Sequence, residues 1–380
     1  MIKRRVILIV MDGCGVGALP DAAAYGATDP QSATLPHVAD AVGGLYLPTL
    51  ERLGLGNIVP IAGVAPNPNA AGGWGRLAEA SAGKDSVTGH WEMMGVVTQV
   101  PFPAYPNGFP AGLIAGFEAK IGRGTLGNSA SSGTAILTQL GQEHIAAGKP
   151  IIYTSADSVF QVAAHESVVP LEELYTICEI GRSMLVAPNN IQRVIARPFT
   201  GTAPNFQRTQ HRRDYPLPPP EPNFLTALAD AGKTAHAIGV VADLFPRAYF
   251  ARTERTQTNA TSLAAILDAI QNGSGDFVFA NCEDFDMLYG HRNDPAGFAR
   301  ALEDFDATLA GIMEHLRPDD LLLLTADHGN DPTTPSTDHS REYVPLLVYG
   351  GGFSGDLGTR PRFADVSALA ADWLGMAWGN

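Results

Sequence analysis

Five short apolar runs, residues 6–11, 151–153, 277–280, 321–324 and 344–349, recur along the chain, and each gives way to polar or glycine-rich residues. Runs of this length, bounded this way, read as strands buried on both faces, as in a parallel sheet. Between the third and fourth, Phe298, Leu302, Phe305, Leu309, Ile312 and Leu316 fall on one helical face, with Arg300, Glu303, Asp304 and Glu314 elsewhere. Strand, helix, strand predicts a βαβ crossover and so an α/β protein with helices on both faces of its sheet. Two proline-dense stretches, 101–110 and 216–222, read as the ends of an inserted domain, the alternative being two long surface loops in a single domain. The expected division is a core of residues 1–98 and 222–380 carrying an α+β insertion of residues 99–221, which suits a chain of 380 residues.

A net charge of −14 disfavours nucleic acid and anionic membrane surfaces as partners. An anionic substrate would need local positive charge, from metal ions or clustered arginines. Residues 6–11 follow Lys3, Arg4 and Arg5 as a signal peptide would begin, but they run straight into Asp12, so they read as a first strand. No apolar run reaches the roughly 20 residues that cross a bilayer. Cys14, Cys178 and Cys282 are scattered and form no C-x-x-C pair, which argues against a disulfide framework or a thiolate zinc site and for a reducing cytoplasm.

The residues that follow the strands carry the chemistry. Asp12 follows the first run, Asp286 and His291 follow the third, and Asp327 and His328 follow the fourth, with His339 shortly after. In open α/β sheets ligands sit at the carboxyl ends of strands, so these side chains can converge. A mixed carboxylate and imidazole set suits Mn²⁺, Zn²⁺ or Fe²⁺ and admits Mg²⁺ less readily. Each residue alone is more often a turn former, cap or satisfied polar residue; Asp284, Asp331 and Asp338 are rivals for ligand roles and read as turn or supporting residues, with Asp338, beside His339, evenly balanced between the two. A nucleophilic hydroxyl, Ser86 or Thr88, is offered by Gly83-Lys84-Asp85-Ser86-Val87-Thr88-Gly89-His90-Trp91. A helix starting there would present backbone N–H groups to a phosphate, although Asp85 or Ser86 could equally serve only as its cap.

Several segments together carry a family resemblance. Asp12 after a first strand, Lys-Asp-Ser-x-Thr-Gly-His-Trp-Glu, Asp-Phe-Asp-x-x-x-Gly-His, Thr-Ala-Asp-His-Gly-Asn-Asp-Pro and Thr-Asp-His-x-Arg-Glu-Tyr-Val-Pro resemble the phosphopentomutases of the alkaline phosphatase superfamily. The likeness runs almost end to end, through residues 153–159, 193–199 and 205–209. It implies an alkaline-phosphatase-like core with an inserted cap, and interconversion of α-D-ribose 1-phosphate, or its 2-deoxy analogue, with the 5-phosphate. By the resemblance Asp12, Asp327, His328 and Ser86 hold one Mn²⁺, and Asp286, His291 and His339 hold a second. Ser86 is the nucleophile, where many members carry Thr, and a sugar bisphosphate activates the enzyme. The cap contributes Asp157 to the sugar and Arg193 and Arg208 to the distal phosphate. The family's Ile-Gly-Lys segment is here Ile238-Gly239-Val240, so one phosphate-binding lysine is replaced by Val240, and Glu283 and Asn293 also depart from the pattern. The alternatives are a dinuclear metallophosphatase or phosphodiesterase, in which water accepts the phosphoryl group, a phosphoglycerate mutase, whose spacings fit less well, and a catalytically silent metal-binding homologue.

Overall fold

The strand Arg5–Met11 is buried along its whole length because it lies inside a sheet, bonded in parallel to Phe277–Cys282 on one side and Asp320–Thr325 on the other. The computed structural model describes residues 4–155 and 158–379. Across this sheet the strands run in the order Arg252–Glu254, Ala235–Ile238, Phe277–Cys282, Arg5–Met11, Asp320–Thr325, Val344–Tyr349, Gly73–Leu77, Gly355–Arg360. The helix Pro295–Met313 makes the expected crossover from Phe277–Cys282 to Asp320–Thr325, stepping over Arg5–Met11 between them. It begins with Asp294 accepting from the Gly297 N–H and Pro295 in the first turn, and it buries Phe298, Leu302, Phe305, Leu309 and Ile312. Leu316 falls beyond its end. At the opposite edge of the strands, buried Arg5 makes a bidentate bond to Asp320, 3.0 and 2.6 Å, and donates to the carbonyls of Ala269 and Ile270.

Two of the five apolar runs sit differently from the parallel arrangement they suggested. Val344–Tyr349 is antiparallel to both of its neighbours, and Ile151–Thr154 belongs to a second sheet. Burial on both faces produces the same unbroken apolar pattern whatever the strand direction, so the pattern alone could not separate these cases.

By its contacts the chain divides into two units. The first takes in the chain up to Val100, Pro219–Ala242 and the chain from Arg247 onward; the second is Pro101–Pro218 with Asp243–Pro246. In the second, the strands Leu126–Ala130, Ile151–Thr154, Val159–His165, Arg193–Thr200 and Gln207–Arg208 lie side by side, and Arg213–Pro216 also pairs with Arg193–Thr200. Phe160, Val162 and Val194 face the helices Ala111–Ile121 and Leu171–Met184, whereas Ile151, Tyr153 and Phe199 face Ile136 and Leu137 of the helix Gly133–Ala147. Among the described residues no helix is long and apolar enough to cross a membrane.

Candidate active site

Three adjacent parallel strands end at the same edge of the first sheet, and this collects residues far apart in sequence. Asp12 leaves Arg5–Met11, Asp286 lies four residues beyond Phe277–Cys282, and Asp327 and His328 lie just past Asp320–Thr325. Gly13, at φ +73°, turns the chain immediately after Asp12, and a Cβ there would meet Asn330 and Asp286 at 3.2 and 3.3 Å.

Asp12 and Asp327 are held so that one oxygen of each carboxylate is tied and the other is bare. Asn281 donates to Asp12 Oδ2 at 2.7 Å, and Asp12 Oδ1 is buried with no hydrogen-bond partner. The Gly13 N–H donates to Asp327 Oδ1 at 3.2 Å, and Asp327 Oδ2 is likewise left over, with His90 Nδ1 3.3 Å away committed to the Ser86 carbonyl. His328 donates its Nδ1–H to the Gly329 carbonyl at 3.2 Å, so Nε2 carries a lone pair, and it lies 3.5 Å from Asp12 Oδ1 and 3.3 Å from Asp327 Oδ2. His291 donates Nδ1–H to the Thr337 carbonyl at 2.6 Å; its Nε2 is 3.0 Å from Asp286 Oδ2 and 3.2 Å from His339 Nε2. The buried Asp12 Oδ1 and Asp327 Oδ2, both without hydrogen-bond partners and both close to His328 Nε2, fit a cation, since leaving such atoms unpaired otherwise costs several kcal/mol each by order of magnitude.

Electrostatics point the same way. Burial, reinforced by the carboxylates of Asp327 and Asp286, raises the Asp12 pKa well above the carboxylate range. Burial also works against Asp286, but His339 and His291 overcome it and hold that carboxyl well below its usual value. Asp327 is likewise held down against burial by His328 and His90. Burial lowers His328, which favours the neutral imidazole a metal requires. Ligand atoms of Asp286, His291 and His339 lie within 4.8 Å of one another, as do those of Asp12, Asp286 and His328. The geometry thus places Asp286 beside both groups, and Asp327 joins the second through His328.

Ser86 opens the helix Ser86–Met93, and Asp85 is its N-cap. Asp85 accepts from the Thr88 N–H at 3.1 Å and from the Thr88 hydroxyl at 2.6 Å, so Thr88 is buried and its hydroxyl engaged. The Ser86 hydroxyl lies 3.0 Å from His328 Nε2 instead. Gly89 lets this helix approach so closely that a Cβ there would overlap the Asp327 carbonyl oxygen. Buried Arg341 fixes the preceding loop by donating to the carbonyls of Glu79, Ser81 and Gly83 and to the Glu79 carboxylate, and Glu92 accepts from the N–H groups of Ala80 and Ser81.

Sequence reasoning passed over Asn281, Asn330, His90 and the structural part of Arg341. Asn330 donates to Asp286 Oδ1 at 2.6 Å. Asp331 accepts from His37, Ala33 and Thr333, and Asp284 from the Asn259 N–H, both turn-organising parts. Asp338 pairs with Lys84 at 3.0 Å. In the second unit Arg193 opens the strand Arg193–Thr200 with Nη1 3.8 Å from Asp214, and Arg208 is exposed on Gln207–Arg208. Asp157 lies outside the described residues. Val240 is half-buried just past Ala235–Ile238.

The class this site defines has a match: residues 4–378 fit the family model described as the metalloenzyme superfamily. The phosphopentomutase of Caldanaerobacter subterraneus subsp. tengcongensis is 52% identical over 97% of this chain and 94% of that protein, and that of Carboxydothermus hydrogenoformans is 52% identical over 99% and 97%. A solved structure from Pyrococcus horikoshii, 17% identical, covers 100% of this chain and 99% of its own at a TM-score of 0.54, a likeness of fold. The chain belongs to the metalloenzyme superfamily and, within it, to the phosphopentomutases.

Proposed function

We propose that this chain is an isomerase that interconverts α-D-ribose 1-phosphate, or its 2-deoxy analogue, with the 5-phosphate through a phosphorylated Ser86. Asp12, Asp327, His328 and the Ser86 hydroxyl would hold one divalent ion and Asp286, His291 and His339 a second; the donor set suits Mn²⁺, Zn²⁺ or Fe²⁺, and the family resemblance favours Mn²⁺ among them. When bound, the ions neutralise phosphoryl oxygens and favour the ionised serine hydroxyl. The observation that carries the reading is the Ser86 hydroxyl at the start of a helix, 3.0 Å from His328 Nε2, which itself lies 3.5 and 3.3 Å from the Asp12 and Asp327 oxygens that lack hydrogen-bond partners. The first turn of that helix leaves N–H groups without intrahelical acceptors, and these suit the oxygens of a transferring phosphoryl group.

Phosphorylated Ser86 gives its phosphoryl group to the free hydroxyl of a sugar monophosphate: the Ser86–phosphorus bond breaks, a sugar–phosphorus bond forms, and the displaced hydroxyl proton ends on Ser86. The resulting bisphosphate reorients and returns its other phosphate to Ser86. A sugar bisphosphate would also load the enzyme initially. The second unit serves as the cap, with Arg193 and Arg208 on the distal phosphate and Asp157 on the sugar, which retains the bisphosphate and keeps water from taking the phosphoryl group. Three buried, unpaired thiols accord with a cytoplasmic setting.

The test is a coupled assay of ribose 1-phosphate with Mn²⁺, with inorganic phosphate release followed in parallel. Isomerisation without net release is expected. Stoichiometric phosphate release without isomerisation would replace this reading with a metallophosphatase.

A further inference from the structure

The second unit carries more positive charge on one face than the two arginines implied by resemblance. Its strands alternate, so odd-numbered residues of Val159–His165 and Arg193–Thr200 share a face with Tyr153 and with the helix Gly133–Ala147. Arg193 and Arg197 lie on that face, Phe199 pairs with Arg208, and Ile195 pairs with Asp214, which places Arg208, Asp214 and, two residues before it, Arg212 there as well. Arg213, one residue out of phase, stacks over Tyr175 and Tyr215 on the other face, 5.2 and 5.1 Å from their ring centres.

The arginines are oriented by groups in the sheet. The Asp214 side chain has no exposed surface, receives two bonds from Arg212 at 2.7 and 2.8 Å, and lies 3.8 Å from Arg193 Nη1. Buried Gln161 accepts from Arg197 Nε at 3.0 Å. A Cβ on Gly133, the first residue of its helix, would meet Arg208 Nη1 and the Tyr153 hydroxyl, each at 3.1 Å, so a helix N-terminus borders the same patch. Burial above all, with Arg212 and Arg208 adding to it, pulls Arg197 down to about 10. Four guanidinium groups thus share this face, with Arg193 and Arg212 set against the Asp214 carboxylate, a balance of charge that an anion suits.

We propose that Arg212, oriented by the buried carboxylate of Asp214, is a further specificity-determining residue of the distal phosphate site. This deepens the mutase reading, because it names the group that recognises the second phosphate. Asp214 is a positioning residue, acting through Arg193 and Arg212 by fixing the fork geometry that bidentate phosphate recognition requires.

The test titrates ribose 5-phosphate calorimetrically into full-length, Mn²⁺-loaded Ser86→Ala protein, so that binding is read without turnover. Adding Arg212→Gln should weaken binding roughly ten- to a hundredfold, the loss expected for a charge-assisted bond. Arg212→Lys should restore part of it, Asp214→Asn should weaken binding in the same direction, and Arg213→Gln on the opposite face should leave it unchanged. In turnover by the Ser86 enzyme, Arg212→Gln should raise KM more than it lowers kcat. Unchanged affinity in Arg212→Gln, an equal loss in Arg213→Gln, or absence of binding to the Ser86→Ala protein overturns the proposal. Binding that follows the expected order in an enzyme that only hydrolyses would instead leave this site standing and remove the mutase reading.

Discussion

Asn330 tests whether the metal-type cluster is organised by what surrounds it. Its Nδ2 donates to Asp286 Oδ1 at 2.6 Å, and Asp286 is the carboxylate that lies beside both groups of ligand atoms. Asn330→Ala removes that bond and leaves the Asp286 carboxylate free to rotate away from His291, now 3.0 Å from its Oδ2. Partners of this kind are worth about 10- to 100-fold in metal affinity, or about 1.4 to 2.8 kcal/mol. The loss should concentrate at the ion bounded by Asp286, His291 and His339, because the opposite group keeps Asn281 on Asp12 and the Gly13 N–H on Asp327. Calorimetric titration of chelator-treated protein with Mn²⁺ should resolve two events in the parent, with the one at Asp286, His291 and His339 displaced further than the other in Asn330→Ala. Equal losses at both events, or none, would refute the reasoning that Asn330 acts by orienting one carboxylate.

Three further outcomes follow from the same geometry. Chelation should abolish activity and Mn²⁺ restore it, with the melting temperature falling on chelation; bound metal at 100 times its Kd contributes about 2.7 kcal/mol, and full activity in metal-free protein would sink the ligand assignment. Ser86→Ala should remove both turnover and covalent phosphate, while Thr88→Ala, which costs the Asp85 cap one bond of 2.6 Å, should still form a phosphoserine detectable by peptide mapping. Arg193→Ala and Arg208→Ala should impair ribose phosphate turnover by at least about tenfold more than hydrolysis of a small aryl phosphate, the difference expected from a charged hydrogen bond; parallel losses would show that the second unit reads no second phosphate.

The residues at the strand ends were legible because an Asp or His directly after a buried apolar run has only a turn or a site to explain it, and several such runs were present. What stayed hidden depends on side-chain pairing across strands. Asn281 is the fifth residue of Phe277–Cys282 and faces Asp12 from the neighbouring strand, a relation set by register that no local spacing encodes. Asn330 followed Gly329 as a turn residue would, and its bond to Asp286 spans 44 positions. The edge strand Gly355–Arg360 escaped notice for a different reason: it is Gly-Asp-Leu-Gly-Thr-Arg and largely exposed, so it carries no apolar run.

Arg193 and Arg208 were named through resemblance alone, because fourteen intervening residues give no hint that they share a face. Register supplies what spacing lacks: Phe199 stands opposite Arg208 and six residues, an even number, beyond Arg193, so the pleat returns all three to one face. The same parity brings in Arg212 and Asp214 and sends Arg213 to the other side. In the first unit, chemistry gathers because parallel strands end together; in the second, it gathers because alternate residues share a face. A strand end is marked in sequence by a change in composition, which is why the metal-type cluster was visible early. A shared face is marked only by parity and pairing, so the arginine cluster emerged only once the register was known.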